Sequence, residues 1–178
     1  MDTEFTGLCQ DTTLVSIGIV SEYGDKFYAE VNDYNEGQVD PWVRENVLGK
    51  LILGDEDTAP WSRTMGSTTM AYGDSEFIAH NLFKWLRSFR GQLRVWSDCL
   101  AYDWVLFLQL FKDYNLDVHS KVSYIPLDIC TLFEMKGIDP DISREQFAGT
   151  DSVEYKHNAL NDAVIIKKCY DKLVNLQN

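Results

Sequence analysis

The chain has 178 residues, 45% of them hydrophobic and 13% aromatic, enough for one substantial core and an expected single domain over residues 1–178. No run is long and apolar enough to span a membrane and no basic-flanked apolar leader opens the chain, so a soluble, cytoplasmic protein is expected. The formal net charge of −12 argues against a broad electrostatic grip on duplex nucleic acid, so an anionic partner has to be met by bound cations or a local patch.

In chain order, the opening MDTEFTGL sets two carboxylates, Asp2 and Glu4, one residue apart in an otherwise apolar segment. In a strand, residues i and i+2 share a face, so the two acids converge just before a Thr-Gly turn, at the kind of strand end where α/β sheets hold ligands. Residues 13–20 (TLVSIGIV) and 26–32 (KFYAEVN) are rich in β-branched and aromatic residues and predict a hairpin beside the opening strand. Residues 41–51 (PWVRENVLGKL) predict a short helix with proline in its first turn, in which Trp42 and Val43 pack inward. Residues 54–73 read as a polar loop, whose Trp61 and Arg63 are candidates for bordering a substrate path.

A helical period runs over residues 74–89 through Phe77, Ile78, Leu82, Trp85 and Leu86. A short strand (93–96), a helix (100–110) with core aromatics, a strand (122–127), a helix cap at Asp128 and a closing helix (158–173) complete the chain. Strand–helix alternation in the second half implies parallel pairing, so the expected fold is α/β, a mixed sheet with antiparallel first strands flanked by helices. Four scattered cysteines show no metal-ligand spacing and are read as reduced thiols.

Two further signals accompany the first pair of acids. Asp103 falls in the first turn of the helix after a strand, where the dipole favours a carboxylate; Asp98, nearer the strand end, is its rival. His157 and Asp162 stand five apart, which on a regular helix separates them by roughly 140°; they converge only if Asn158 caps the helix and His157 lies in the loop before it. Asp2, Glu4, Asp103 and Asp162 with His157 suit a divalent-metal site, because Mg²⁺ and Mn²⁺ prefer carboxylate oxygens and two ions about 3.5–4 Å apart serve displacement at phosphorus.

At these residues the chain resembles the histidine subgroup of the DnaQ-like 3′-5′ exonucleases, the DEDDh family, which have a ribonuclease H-like fold. The family's Asp-x-Glu-x-Thr-Gly-Leu is matched by Asp2, Glu4, Thr6, Gly7 and Leu8, its aromatic-Asp by Tyr102-Asp103, and its His-x4-Asp by His157 and Asp162. The likeness extends through residues 14–31, 41–51, 95–110 and 157–163 and is similar to the exoribonuclease branch typified by ribonuclease AS. The resemblance implies that Asp2, Glu4 and Asp162 hold the ion that activates water, that Asp2 also touches a second ion helped by Asp103, and that His157 is the general base. It further implies that the Thr6–Gly7 backbone approaches the terminal nucleotide, that Leu8 packs on its base, and that the chain forms a homodimer. Leu8 as an ordinary core leucine is the competing reading.

One departure is that only Met1 precedes Asp2: either the recorded start is late, or the first strand is expected to be short, with an α-amino group as an unusual neighbour of the site. The expected activity is hydrolysis of single-stranded 3′ ends with two Mg²⁺ or Mn²⁺ ions, releasing nucleoside 5′-monophosphates from RNA or short oligonucleotides. A DNA exonuclease of proofreading type and a non-catalytic nucleic-acid-binding module of the same fold are the alternatives.

Overall fold

A computed structural model describes residues 1–54, 58–150 and 156–176. Strands β1 (Asp2–Phe5), β2 (Leu14–Val20) and β3 (Lys26–Val31) form the expected antiparallel meander, Asp2 pairing with Gly18 and Gly18 with Tyr28. Residue alternation then assigns the two faces. Ile17, Ile19, Phe27, Ala29 and Val31 join the core beneath α2 (Ser75–Ser88) and α3 (Leu100–Lys112), each fully buried side chain of this kind contributing about 1.5–3 kcal/mol. The opposite face carries Asp2 and Glu4 on β1, Ser16 and Gly18 on β2, and Tyr28 and Glu30 on β3.

Helix α6 (Ala159–Asn175) lies on that second face, and Gly18 is what lets it come so close. A Cβ at Gly18 would stand 2.1 Å from the Ala159 carbonyl oxygen. The far side of α6 packs a second cluster, in which Ile129 and Phe133 of α4 (Ile129–Met135) and Phe147 of α5 (Arg144–Ala148) meet Ile166, Cys169 and Leu173. Asp128 caps α4, its carboxylate accepting from the Cys130 and Thr131 N–H groups.

Residues 61–73 are not loop. They form a hairpin, β4 (Trp61–Met65) and β5 (Thr68–Gly73), turning at Gly66 with φ +60°, and β5 adds parallel to β3, giving the sheet order β1-β2-β3-β5-β4. β4 is an exposed edge strand whose side chains show no apolar alternation, so it has the composition of a loop. The part of the expected loop at residues 55–57 lies outside the described residues.

The expected strand at 122–127 shrinks to a bridge between Leu93 and Val122 and to β7 (Leu127–Asp128), parallel to β6 (Trp96–Ser97). Pro126 has no N–H to give a ladder, and Tyr124 and Ile125 stand out in solvent. The helix expected over 41–51 is α1 (Pro41–Asn46), capped by Asp40, followed by a separate 3₁₀ turn at Leu48–Lys50 that contains Gly49. On the open side of β1 the Met1 amino group, buried, donates to the Trp96 carbonyl oxygen at 2.8 Å, which ties β6 beside β1. The whole is a mixed sheet flanked by helices, the ribonuclease H-like arrangement. Among the described residues no helix is long and apolar enough to cross a membrane.

Candidate active site

A cleft of about 740 Å³ opens where β1 ends against α6 and α1. Asp2 and Glu4 enter it from β1 and Asp162 from the first turn of α6, and one carboxylate oxygen of each lies within 4.8 Å of the others. The shared face of β1 brings the first two together. The third is delivered by Gly18, which seats the start of α6 directly on β2.

This trio is short of positive charge and of donors. Burial first, then the charges of Asp103, Asp162 and Glu4, push Asp2 well above the usual carboxylate range. Burial, then Asp162 and Asp103, push Glu4 up to about 8. Asp162 is raised to about 6 by burial, while the His157 backbone N–H, donating to its Oδ2 at 3.1 Å, pulls the other way. Three crowded oxygen donors of this kind fit a hard divalent cation, which would offset the repulsion that now favours protons.

Asp103 stands apart from the trio. It is fully buried, its Oδ1 accepting from the Thr3 N–H (3.0 Å) and Thr3 Oγ1 (2.6 Å) and its Oδ2 from Ser97 Oγ. Its charge reaches Asp2, but its side chain does not line the cleft, whereas that of its rival Asp98 does. Asp98 is held by Arg144, which donates to both of its oxygens at 2.8 Å and also to the carbonyls of Pro140 and Ile142.

His157 precedes the Asn158 cap, as the five-residue spacing requires, and holds a left-handed backbone with φ +62°. Its ring lines the cleft and meets the Trp42 ring edge-on, with centroids 5.1 Å apart. Burial first, then the charges of Lys156 and Lys50, hold the imidazole below its usual range, which favours the neutral ring.

Of the three residues expected at the terminal nucleotide, Gly7 and Leu8 line the cleft and Thr6 does not. Thr6 turns inward, donating to Gln38 Oε1 at 2.7 Å and accepting from the Thr13 N–H, so it shapes the turn that presents Gly7. Leu8 is 77% exposed, which removes its reading as a core leucine. Trp42, expected to pack inward, is 54% exposed and faces the cleft, while its neighbour Val43 takes the buried position against Val15 and Val47. Trp61 and Arg63 are not in the cleft wall. Arg144, Glu145 and Lys156 line it without having been singled out in the sequence; Lys156 pairs with Glu145 at 3.0 Å.

No curated protein matches the chain. A family model does: residues 1–174 match that of the 3′-5′ exoribonuclease Rv2179c-like domain. That span takes in β1 with Asp2 and Glu4, the cleft wall and α6 with Asp162, so the chain belongs to the 3′-5′ exoribonuclease Rv2179c-like family.

Proposed function

We propose that the chain is a metal-dependent 3′-5′ exoribonuclease of the DEDDh type, of the branch typified by ribonuclease AS. The observation that carries this reading is the convergence of Asp2, Glu4 and Asp162 in one cleft that His157 also lines. Asp2, Glu4 and Asp162 would hold one Mg²⁺ or Mn²⁺ ion, and Asp2 would also serve a second, with Asp103 contributing its negative charge from behind. When bound, the ions make water a better nucleophile and offset the charge that builds on the scissile phosphate and the leaving oxygen.

The remaining work falls to the chain itself. Leu8 and Trp42 flank the terminal base, the aromatic ring stacking on an unpaired nucleotide, which favours single-stranded ends. The open space over Gly7 leaves room for the sugar-phosphate to lie against the backbone. His157 takes the proton from water as its oxygen attacks phosphorus, and the bond from phosphorus to the O3′ of the preceding nucleotide breaks. The O3′ is protonated from solvent, so one nucleoside 5′-monophosphate leaves and the shortened chain keeps a 3′-hydroxyl. Lys156, exposed beside Glu145, is the cation of the cleft wall that can meet the phosphate backbone, while Arg144 is held by Asp98.

The test is a time course on 5′-labelled single-stranded RNA and DNA of one sequence, with Mg²⁺ or Mn²⁺ and with a chelator. The expected result is a metal-dependent ladder shortening from the 3′ end, faster on RNA. Faster shortening of DNA would move the substrate class to a DNA exonuclease. Binding of the oligonucleotide without shortening would make the chain a binding module of this fold.

A further inference from the structure

Behind the cleft lies a buried polar chain that neither hydrolysis nor metal binding uses. Glu30, fully buried on β3, receives the Tyr28 hydroxyl at 2.7 Å and the Ile52 N–H at 2.6 Å on Oε1, and the Leu53 N–H at 3.0 Å on Oε2. Tyr28, also fully buried, in turn accepts from the Asn158 side-chain amide at 3.2 Å. Asn158 caps α6, its Oδ1 accepting from the Asn161 N–H at 3.3 Å and its main-chain carbonyl from the Asp162 N–H at 3.0 Å.

The direction of these bonds is fixed. A carboxylate only accepts, so the Tyr28 hydroxyl must donate to Glu30 and offer its lone pair to Asn158. Burial, then the Glu30 charge, hold the phenol above its ordinary range, so it keeps the proton this requires. The Asn158 amide therefore faces Tyr28 with its NH₂ end, which turns Oδ1 toward the helix and sets the cap. The residue before that cap is His157, whose φ of +62° lies in the left-handed region, uncommon for a residue with a side chain though histidine enters it more readily than most, and is held there by its neighbours. On one side it is held by its N–H to Asp162; on the other the anchor is Asn158.

We infer that Glu30 and Tyr28 are positioning residues, which through Asn158 hold His157 in its left-handed backbone over the metal-binding trio. The inference rests on the proposed role of His157 as base. Because Ile52 and Leu53 follow α1 and its 3₁₀ turn, the same carboxylate also ties the segment after Trp42 to the start of α6.

The experiment measures kcat and KM on short single-stranded RNA, Mn²⁺ affinity and the thermal midpoint for Tyr28→Phe, His157→Ala and the double variant, the last two followed at high enzyme concentration. Tyr28→Phe keeps the ring and its packing and removes only the hydroxyl. The expected result is a kcat about 10–100-fold lower, KM and Mn²⁺ affinity within about twofold, and no further fall when the hydroxyl is removed from His157→Ala. Glu30→Gln, which sets an amide N–H against donors, is expected to follow Tyr28→Phe in kcat with a larger fall in midpoint. An equal proportional loss in both backgrounds, or a loss of stability alone, would overturn the inference while leaving the base in place. Undiminished turnover by His157→Ala would instead overturn the role of the base, and the positioning role with it.

Discussion

Two sets of carboxylates are hydrogen-bonded in opposite ways. Glu30 and Asp103 are fully buried, and each receives three hydrogen bonds from fixed donors. Asp2, Glu4 and Asp162 are packed against each other and receive, among the described residues, a single hydrogen bond, from the His157 N–H to Asp162. A buried charge is stable when donors saturate it and costly when they do not. The saturated acids hold the framework in place; on the proposed reading, the starved ones keep their lone pairs for a cation. Burial and donor count run together: Glu30 and Asp103 are closed off from solvent and saturated, whereas Asp2 and Asp162 keep partial exposure at the cleft.

The largest effect that tests this contrast is at Glu4. Glu4→Gln removes an acid from the starved trio without changing its shape. Exonuclease turnover is expected to fall by at least as much as loss of the general base would cause, about 10²–10⁴-fold. Without metal the thermal midpoint should rise, since a repulsive, poorly solvated carboxyl is gone; about 1 kcal/mol corresponds to about 2–4 °C for a chain of this size. Added Mn²⁺ should then lose most of its power to raise the midpoint. A lower midpoint in the metal-free variant would show that Glu4 is a framework acid like Glu30, and the contrast would collapse.

Asp103→Asn should do the reverse to stability. Its oxygens face the donors of Thr3 and Ser97, so an amide in their place leaves a donor unmatched, at about 1–3 kcal/mol, read as a fall in the midpoint with or without metal. Asp98→Asn, by contrast, loosens a half-buried pair with Arg144, which keeps two main-chain carbonyls as partners, so a smaller fall is expected. In turnover the order should be the same, Asp103→Asn the more damaging. If Asp98→Asn abolishes metal-dependent turnover and Asp103→Asn costs only stability, the fourth acid is Asp98, the one of the two that lines the cleft.

How much of this could be read in the sequence follows from how local each signal is. Asp2 and Glu4 were legible because a strand puts i and i+2 on one face whatever surrounds it. The placement of His157 was legible from the Asn158 cap and a five-residue arithmetic that only a loop position satisfies. The approach of Asp162 to the other two acids depends on Gly18, far away in the sequence, which looks like any strand glycine until α6 is seen to lie against it. Glu30 looked like one polar residue in a strand, because its three donors come from β3 and from residues 52–53. The hairpin at 61–73 leaves no pattern in the sequence, because β4 faces solvent and has no reason to alternate. Trp42 was assigned to packing because a six-residue helix has two faces and only its docking on the sheet decides which is buried; the buried one went to Val43.

The smallest contrast is between two exposed residues that both suit nucleic acid. Trp42 faces the cleft and touches His157 edge-on, and stacking on a base is worth about 1–3 kcal/mol, so Trp42→Ala should raise KM on single-stranded RNA by about 5–150-fold. Arg63 sits on the exposed edge strand β4, outside the cleft wall. Arg63→Ala should therefore leave KM within about twofold and change only the weak, salt-dependent attraction of one exposed cation for the anionic substrate. KM measured at two ionic strengths separates the cases: a stacking contribution persists at high salt, whereas an electrostatic one fades. A large, salt-sensitive rise in KM for Arg63→Ala would extend the substrate path from the cleft across the sheet edge, and Trp42 would then mark only its catalytic end.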